Sequence, residues 1–122
     1  MNVRRQRFGR DRRLTSTEEY DAVLARPTLR CRGRLLSILA RDVGMAYPRL
    51  GLIVARRHVR RAVERNRVKR QIRGYFRKSH ELPSMDIVVM THAGIAECSN
   101  AQLKASLEHS FIELRRELDK RR

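Results

Sequence analysis

The chain has 122 residues and carries 29 Lys and Arg against 13 Asp and Glu, a formal net charge of +16. That length suits one domain, 41% hydrophobic residues suffice for a packed core, and so large a charge is most stable beside a polyanion. No apolar run approaches the roughly 20 residues of a bilayer span, the basic N-terminus lacks the apolar segment of a signal peptide, and Cys31 and Cys98 have neither zinc-site nor disulfide-framework spacing, which makes a reduced, cytoplasmic setting the expectation.

Residues 1–13 are polar and basic and read as a flexible arm. Thr15 with Glu18, or Ser16 with Glu19, forms a capping box that opens a helix. That helix places Tyr20, Val23 and Leu24 on one face and stops at Arg26-Pro27. Arg34 to Arg41 reads as a strand and Leu50 to Ala55 as a second, with the loop from Asp42 to Pro48 between them. Alternation in the second strand sends Leu50, Leu52 and Val54 one way and Arg49, Gly51, Ile53 and Ala55 the other. The Arg49/Gly51/Ile53 face suits either an extended ligand or a closely packed helix, and spacing does not choose between them.

A long basic helix is predicted from about Val59 to Lys78. Val68, Ile72, Tyr75 and Phe76 form its core stripe, while Asn66, Arg70, Arg73 and Arg77 share the other side, flanked by Arg67. Arg65 projects on the apolar side, where its stem can pack and its head emerge. After a turn at residues 81–84, Met85 to Thr91 reads as a third strand; its run Ile87-Val88-Val89-Met90 implies cover on both faces. Ser99 with Gln102 makes another capping box, opening a helix whose core stripe is Leu103, Leu107, Phe111, Leu114 and Leu118. The last residues, 119–122, read as a frayed tail.

The charge is concentrated. Residues 1–79 hold 23 basic and 6 acidic side chains, residues 80–122 hold 6 and 7, and residues 49–79 hold 12 bases against the single acid Glu64. A merely solvated helix face mixes signs, because like charges a turn apart repel. One-sided loading on an amphipathic helix is the footprint of nucleic-acid binding. Within it, Arg65-Asn66-Arg67-Val68-Lys69-Arg70-Gln71-Ile72-Arg73 is the sharpest motif. Guanidinium forks pair with phosphate oxygens, and the Asn66 amide can both donate and accept.

With these blocks in place, the chain closely resembles the protein component of bacterial ribonuclease P. The resemblance runs through Arg49 to Arg57, Ala62 to Arg70, Phe76-Arg77 and His80 to Val89, and its spacing extends it over residues 14–118 as a single domain. It implies an α+β fold, a small α/β sandwich in the order helix, strand, strand, long basic helix, strand, helix, with a left-handed βαβ crossover in its central sheet. It implies the protein subunit of an endoribonuclease that removes the 5′ leader of precursor tRNA. The catalytic RNA, with Mg2+, performs the hydrolysis; no catalytic residue, metal ligand or cofactor is expected in this chain. The implied partners are that RNA, one to one with a monomer of this protein, and precursor tRNA, with no membrane.

By position, Arg65, Asn66, Arg67, Lys69, Arg70 and Arg73 match the family's RNA-binding helix, and Arg56 and Arg57 match paired bases after the second strand. Arg60 and Arg61, in the first turn of the predicted helix, join the expected RNA-binding set. Tyr20, Leu24, Arg49 and Ile53 are the expected leader-cleft residues. Leu24 stands where Phe is usual, and Thr91-His92-Ala93 stands where a base is common, which implies a weaker phosphate contact there. His58, His80, His92 and His109 have no ligand spacing and read as structural or exposed; Glu18, Glu19 and Asp21 are explained by capping and the helix dipole. The alternatives are a general RNA-binding protein of ribosomal type and a DNA-binding protein using residues 59–78.

Overall fold

In the computed structural model, which describes residues 12–44, 46–79 and 82–121, the chain runs helix, three strands, helix, strand, helix. Helix α1 (Thr17–Ala25) begins at Ser16, whose Oγ accepts the Glu19 N–H at 3.2 Å. The Glu19 carboxylate accepts the N–H groups of Thr15 (2.8 Å) and Ser16 (3.2 Å) in return. Pro27 follows the C-cap Arg26 and disfavours helical backbone before it.

Strands β1 (Leu29–Arg32), β2 (Leu36–Arg41), β3 (Arg49–Ile53) and β4 (Asp86–Thr91) form one sheet in the order β1-β2-β4-β3. The β1–β2 and β2–β4 pairs are antiparallel, and β3 and β4 are parallel neighbours. Joining two parallel neighbours requires a crossover, which here is α2 (Ala62–Lys78). A short 3-10 turn (Ile95–Glu97) leads into α3 (Asn100–Lys120).

Strand β1 corrects the sequence reading, which missed it. Leu29 and Cys31 are buried while Arg30 and Arg32 are exposed, so it does alternate. Four residues with two arginines, pressed between Pro27 and Gly33, carry too few repeats to stand out. Other bounds shift too: β2 starts at Leu36 rather than Arg34, β3 ends at Ile53, and α2 starts at Ala62. Val59 is fully buried in the turn before α2. Helix α3 runs through Asp119 to Lys120, into the expected tail. The expected arm at 1–13 lies outside the described residues except for Arg12 and Arg13.

Both faces of the sheet are covered. On one, Leu36, Ile38, Leu50, Ile87 and Val89 pack against Val68, Ile72 and Phe76 of α2 and Leu103, Leu107, Phe111 and Leu114 of α3. On the other, Leu39 and Val88 pack with Leu14 and with Val23 of α1, edged by Tyr20, Leu24, Ile53 and Met90. The continuous apolar run in β4 thus has the physical reason the sequence implied: alternate side chains enter different cores. The alternation assigned to β3 also holds, with Leu50 and Leu52 on the α2/α3 side and Ile53 on the α1 side.

Candidate nucleic-acid interface

Burial of Val68, Ile72 and Phe76 fixes the roll of α2, so its remaining sides are left half-buried or exposed. There Asn66, Lys69, Arg70, Arg73 and Arg77, with Arg13 from the N-terminal segment, line a groove of about 320 Å³. Arg13 is brought there by a parallel bridge to Leu50, and the Leu14 N–H donates to the Leu50 carbonyl at 2.9 Å. No carboxylate lies within ion-pair distance of Lys69, Arg70, Arg73 or Arg77 among the described residues. Burial, then the neighbouring positive charge of Arg13, makes the Arg73 guanidinium easier to deprotonate than usual. It stays charged, since arginine titrates far above neutrality. The groove therefore holds desolvated, like-signed charge, and an anion entering it relieves both costs.

Two members of the motif are turned away from this groove. The Arg65 Nη1 donates to the carbonyls of Val59 (3.1 Å) and Arg60 (2.8 Å), tying the approach turn to the first turn of α2. Arg67 uses all three guanidinium nitrogens. Its Nε donates to Glu64 (2.9 Å), its Nη1 to the Asn100 side-chain oxygen (2.7 Å), and its Nη2 to the carbonyls of Ala96 (3.3 Å) and Cys98 (3.1 Å). It clamps α2 to the 3-10 turn and to the start of α3. Arg56, Arg57, Arg60 and Arg61 are exposed on the turn between β3 and α2. Three of them, Arg57, Arg60 and Arg61, border a separate groove of about 500 Å³ with His58 and the acids Glu64 and Glu97.

The four cleft residues meet on the α1 side of the sheet. Tyr20 lies so close over Gly51 that a Cβ there would stand 2.6 Å from its ring, and its hydroxyl accepts the Leu52 N–H at 3.1 Å. Leu24 and Ile53 are half-buried against the same small core. Helix packing occupies the Gly51 part of this face, one of the two readings that spacing left open. Arg49 is held at three points: its Nε and Nη2 donate to the two Asp86 oxygens, both at 2.8 Å, and its Nη1 to Glu19 at 2.9 Å. The hydrogen bond to Asp86 chiefly raises the Arg49 pKa. Backbone N–H groups of Thr15 and Ser16, helped by the Arg49 charge, hold Glu19 below its ordinary value. One carboxylate thus caps α1 and latches it to β3 and β4.

Sequence reasoning left Arg13 and Arg77 out of the site. For Arg77 a signal existed, since it lies four residues after Arg73 on the same arc; for Arg13 there was none, because a bridge to Leu50 places it. Beside the cleft, Ser37 Oγ and His92 Nε2 are hydrogen-bonded at 2.7 Å. Burial first, then Arg32 and His58, lowers the His92 pKa. The buried His58 Nδ1 has no hydrogen-bond partner among the described residues, His109 is exposed, and His80 lies outside the described residues. Among the described residues no three His, Cys, Asp or Glu converge as a metal site, and no helix is long and apolar enough to cross a membrane.

Comparison with known proteins shows the family and the fold. The family model described as Ribonuclease P matches residues 8–115. The ribonuclease P protein component of Chromohalobacter salexigens is 38% identical over 116 residues, covering 94% of this chain and 91% of that one. That of Pseudomonas aeruginosa is 42% identical over 97 residues, covering 79% and 72%. Among solved structures, the RNase P protein of Staphylococcus aureus superposes with a TM-score of 0.75 at 25% identity, over 81% of this chain and 91% of that one. The Thermotoga maritima protein gives 0.72 at 26% identity, over 81% and 94%.

Proposed function

The chain belongs to the ribonuclease P protein family, and from that premise we propose that it is the protein subunit of ribonuclease P, binding the catalytic RNA and the 5′ leader of precursor tRNA. The observation that carries this reading is the α2 groove, in which Asn66, Lys69, Arg70, Arg73 and Arg77 face outward with Arg13. The Lys and Arg side chains among them meet RNA phosphates, and counterion release supplies much of the affinity. Arg56, Arg57, Arg60 and Arg61 extend the same contact along the approach turn. Arg65 and Arg67 act in this reading by holding α2 in position.

The leader runs along the α1 side of the sheet beside Tyr20, Leu24 and Ile53. Stacking of one base on Tyr20 would contribute about 1–3 kcal/mol. Arg49 shapes this surface by latching α1. Hydrolysis belongs to the RNA and its Mg2+, as the family resemblance implies. The protein acts in the cytoplasm as a monomer, one per RNA.

Reconstitution with the cognate RNA at low Mg2+ tests the proposal. Adding the protein is expected to speed leader cleavage and to tighten binding of precursor over mature tRNA. Unchanged cleavage and affinity would refute it. Equal tightening of both tRNAs would favour the general RNA-binding alternative.

A further inference from the structure

We infer that the RNA path does not end at the α2 groove but crosses the helix at Gly74 and continues onto α3, where Lys104 contacts a phosphate; this rests on the proposed function. Two grooves flank α2, one of about 320 Å³ toward Arg13 and Asn66, the other of about 590 Å³ toward α3. They share Arg70, Gly74 and Arg77, so these three residues form the ridge between them.

At its middle that ridge has no side chain. Glycine is the poorest helix residue after proline, and packing does not demand it here: beyond its own helix backbone, a Cβ at Gly74 would meet no atom within 4 Å. By contrast, Gly51 has Tyr20 pressed against it. Open space above an interior helical glycine leaves a saddle, with Arg70 one turn before it and Arg77 nearly one turn after. Their separation along the axis is about 10 Å, enough for one sugar–phosphate backbone to pass between two guanidinium groups.

Beyond the saddle the chemistry stays that of a nucleic-acid surface. Lys78 and Lys104 line the far groove, and Tyr75 and Leu107 supply apolar wall. Neither lysine, nor Arg70 or Arg77, has a carboxylate within ion-pair distance among the described residues. The amino end of α3 borders this groove through Asn100 and Ala101, adding partial positive charge. Phosphates suit the cations and riboses the apolar wall. The path is continuous with the α2 groove, which favours RNA over an acidic protein.

The test uses the full chain and its cognate catalytic RNA, with affinity titrated at several salt concentrations. Lys104→Glu is compared with Lys120→Glu, the same charge reversal about 24 Å farther along α3 on a different side. Lys104→Glu is expected to weaken binding about tenfold, and to lower the slope of log K against log salt by about 0.7–0.9, the value of one phosphate. Lys120→Glu is expected to change affinity less than threefold. Gly74→Leu is expected to keep or raise the melting temperature while weakening binding at least tenfold. Equal effects of the two lysine reversals, or wild-type affinity in a folded Gly74→Leu protein, would overturn the path. Failure of the unaltered chain to bind the RNA would instead overturn the proposed function.

Discussion

Replacing Arg67 and Arg70 separately by Ala distinguishes two roles inside one motif. Arg67 makes four side-chain hydrogen bonds, and its side chain is 24% exposed. The Glu64 bond joins groups near the surface and contributes on the order of 0.5 kcal/mol. The Asn100 bond and the two carbonyl bonds are charge-assisted, each worth roughly 1 kcal/mol or less after allowance for sharing one part-exposed guanidinium. Together they give about 2 kcal/mol. With an unfolding entropy of roughly 2.1 cal/mol/K per residue over 122 residues, the Arg67→Ala melting temperature falls by about 8 °C. Arg67→Lys should recover little of this, because one ammonium cannot serve Glu64, Asn100 and two carbonyls together. Arg70 is exposed, so Arg70→Ala should change stability by under about 0.5 kcal/mol while weakening RNA binding. Thermal unfolding followed by circular dichroism, paired with RNA titration, reads both. An Arg67→Ala melting point within 2 °C of wild type would refute the clamp, as would an equal loss in Arg70→Ala.

Four further outcomes follow from the same geometry. Arg49→Met strands the buried Asp86 carboxylate and should cost about 3 kcal/mol in urea unfolding; an unchanged midpoint would show that the latch is idle. Because Glu19 titrates below its ordinary value in the folded chain, its contribution is present above that value and fades as pH falls through the folded value. Glu19→Gln should therefore flatten the acid limb of stability, and an identical acid limb would contradict the assignment. Gly51→Ala drives a methyl group into Tyr20 and should cost about 1–3 kcal/mol. It should also narrow the affinity gap between precursor and mature tRNA, so a preserved gap would detach Tyr20 from leader binding. RNA affinity of the wild type should fall steeply with salt, with a slope of about −3 or steeper for four or more phosphates; a flat titration would rule out the phosphate reading of the groove.

Legibility in the sequence followed the range of each interaction. Helix α2 and helix α3 were readable because their core stripes repeat within a few residues, and both capping boxes were readable because Ser16 and Glu19, or Ser99 and Gln102, are three residues apart. The two-faced β3 and the doubly covered β4 were equally local signals. Strand β1 escaped because Leu29–Arg32 repeats its pattern only twice.

The sequence by itself determined a basic amphipathic helix on an α+β scaffold, and with it the polyanionic character of the partner. Only the tertiary structure decided which cations remain open to that partner. Arg67 reads as an equal of Arg70 and Arg73, and Arg49 as a leader-cleft cation, until their acceptors are placed; apart from Glu64, those acceptors lie 29 to 37 residues away in the chain. Periodicity reports which side of an element is apolar. The carbonyls of Ala96 and Cys98, or the carboxylates of Glu19 and Asp86, reach a guanidinium only after the layers pack, and that packing divides the arginines that hold the fold together from those left open to a polyanion.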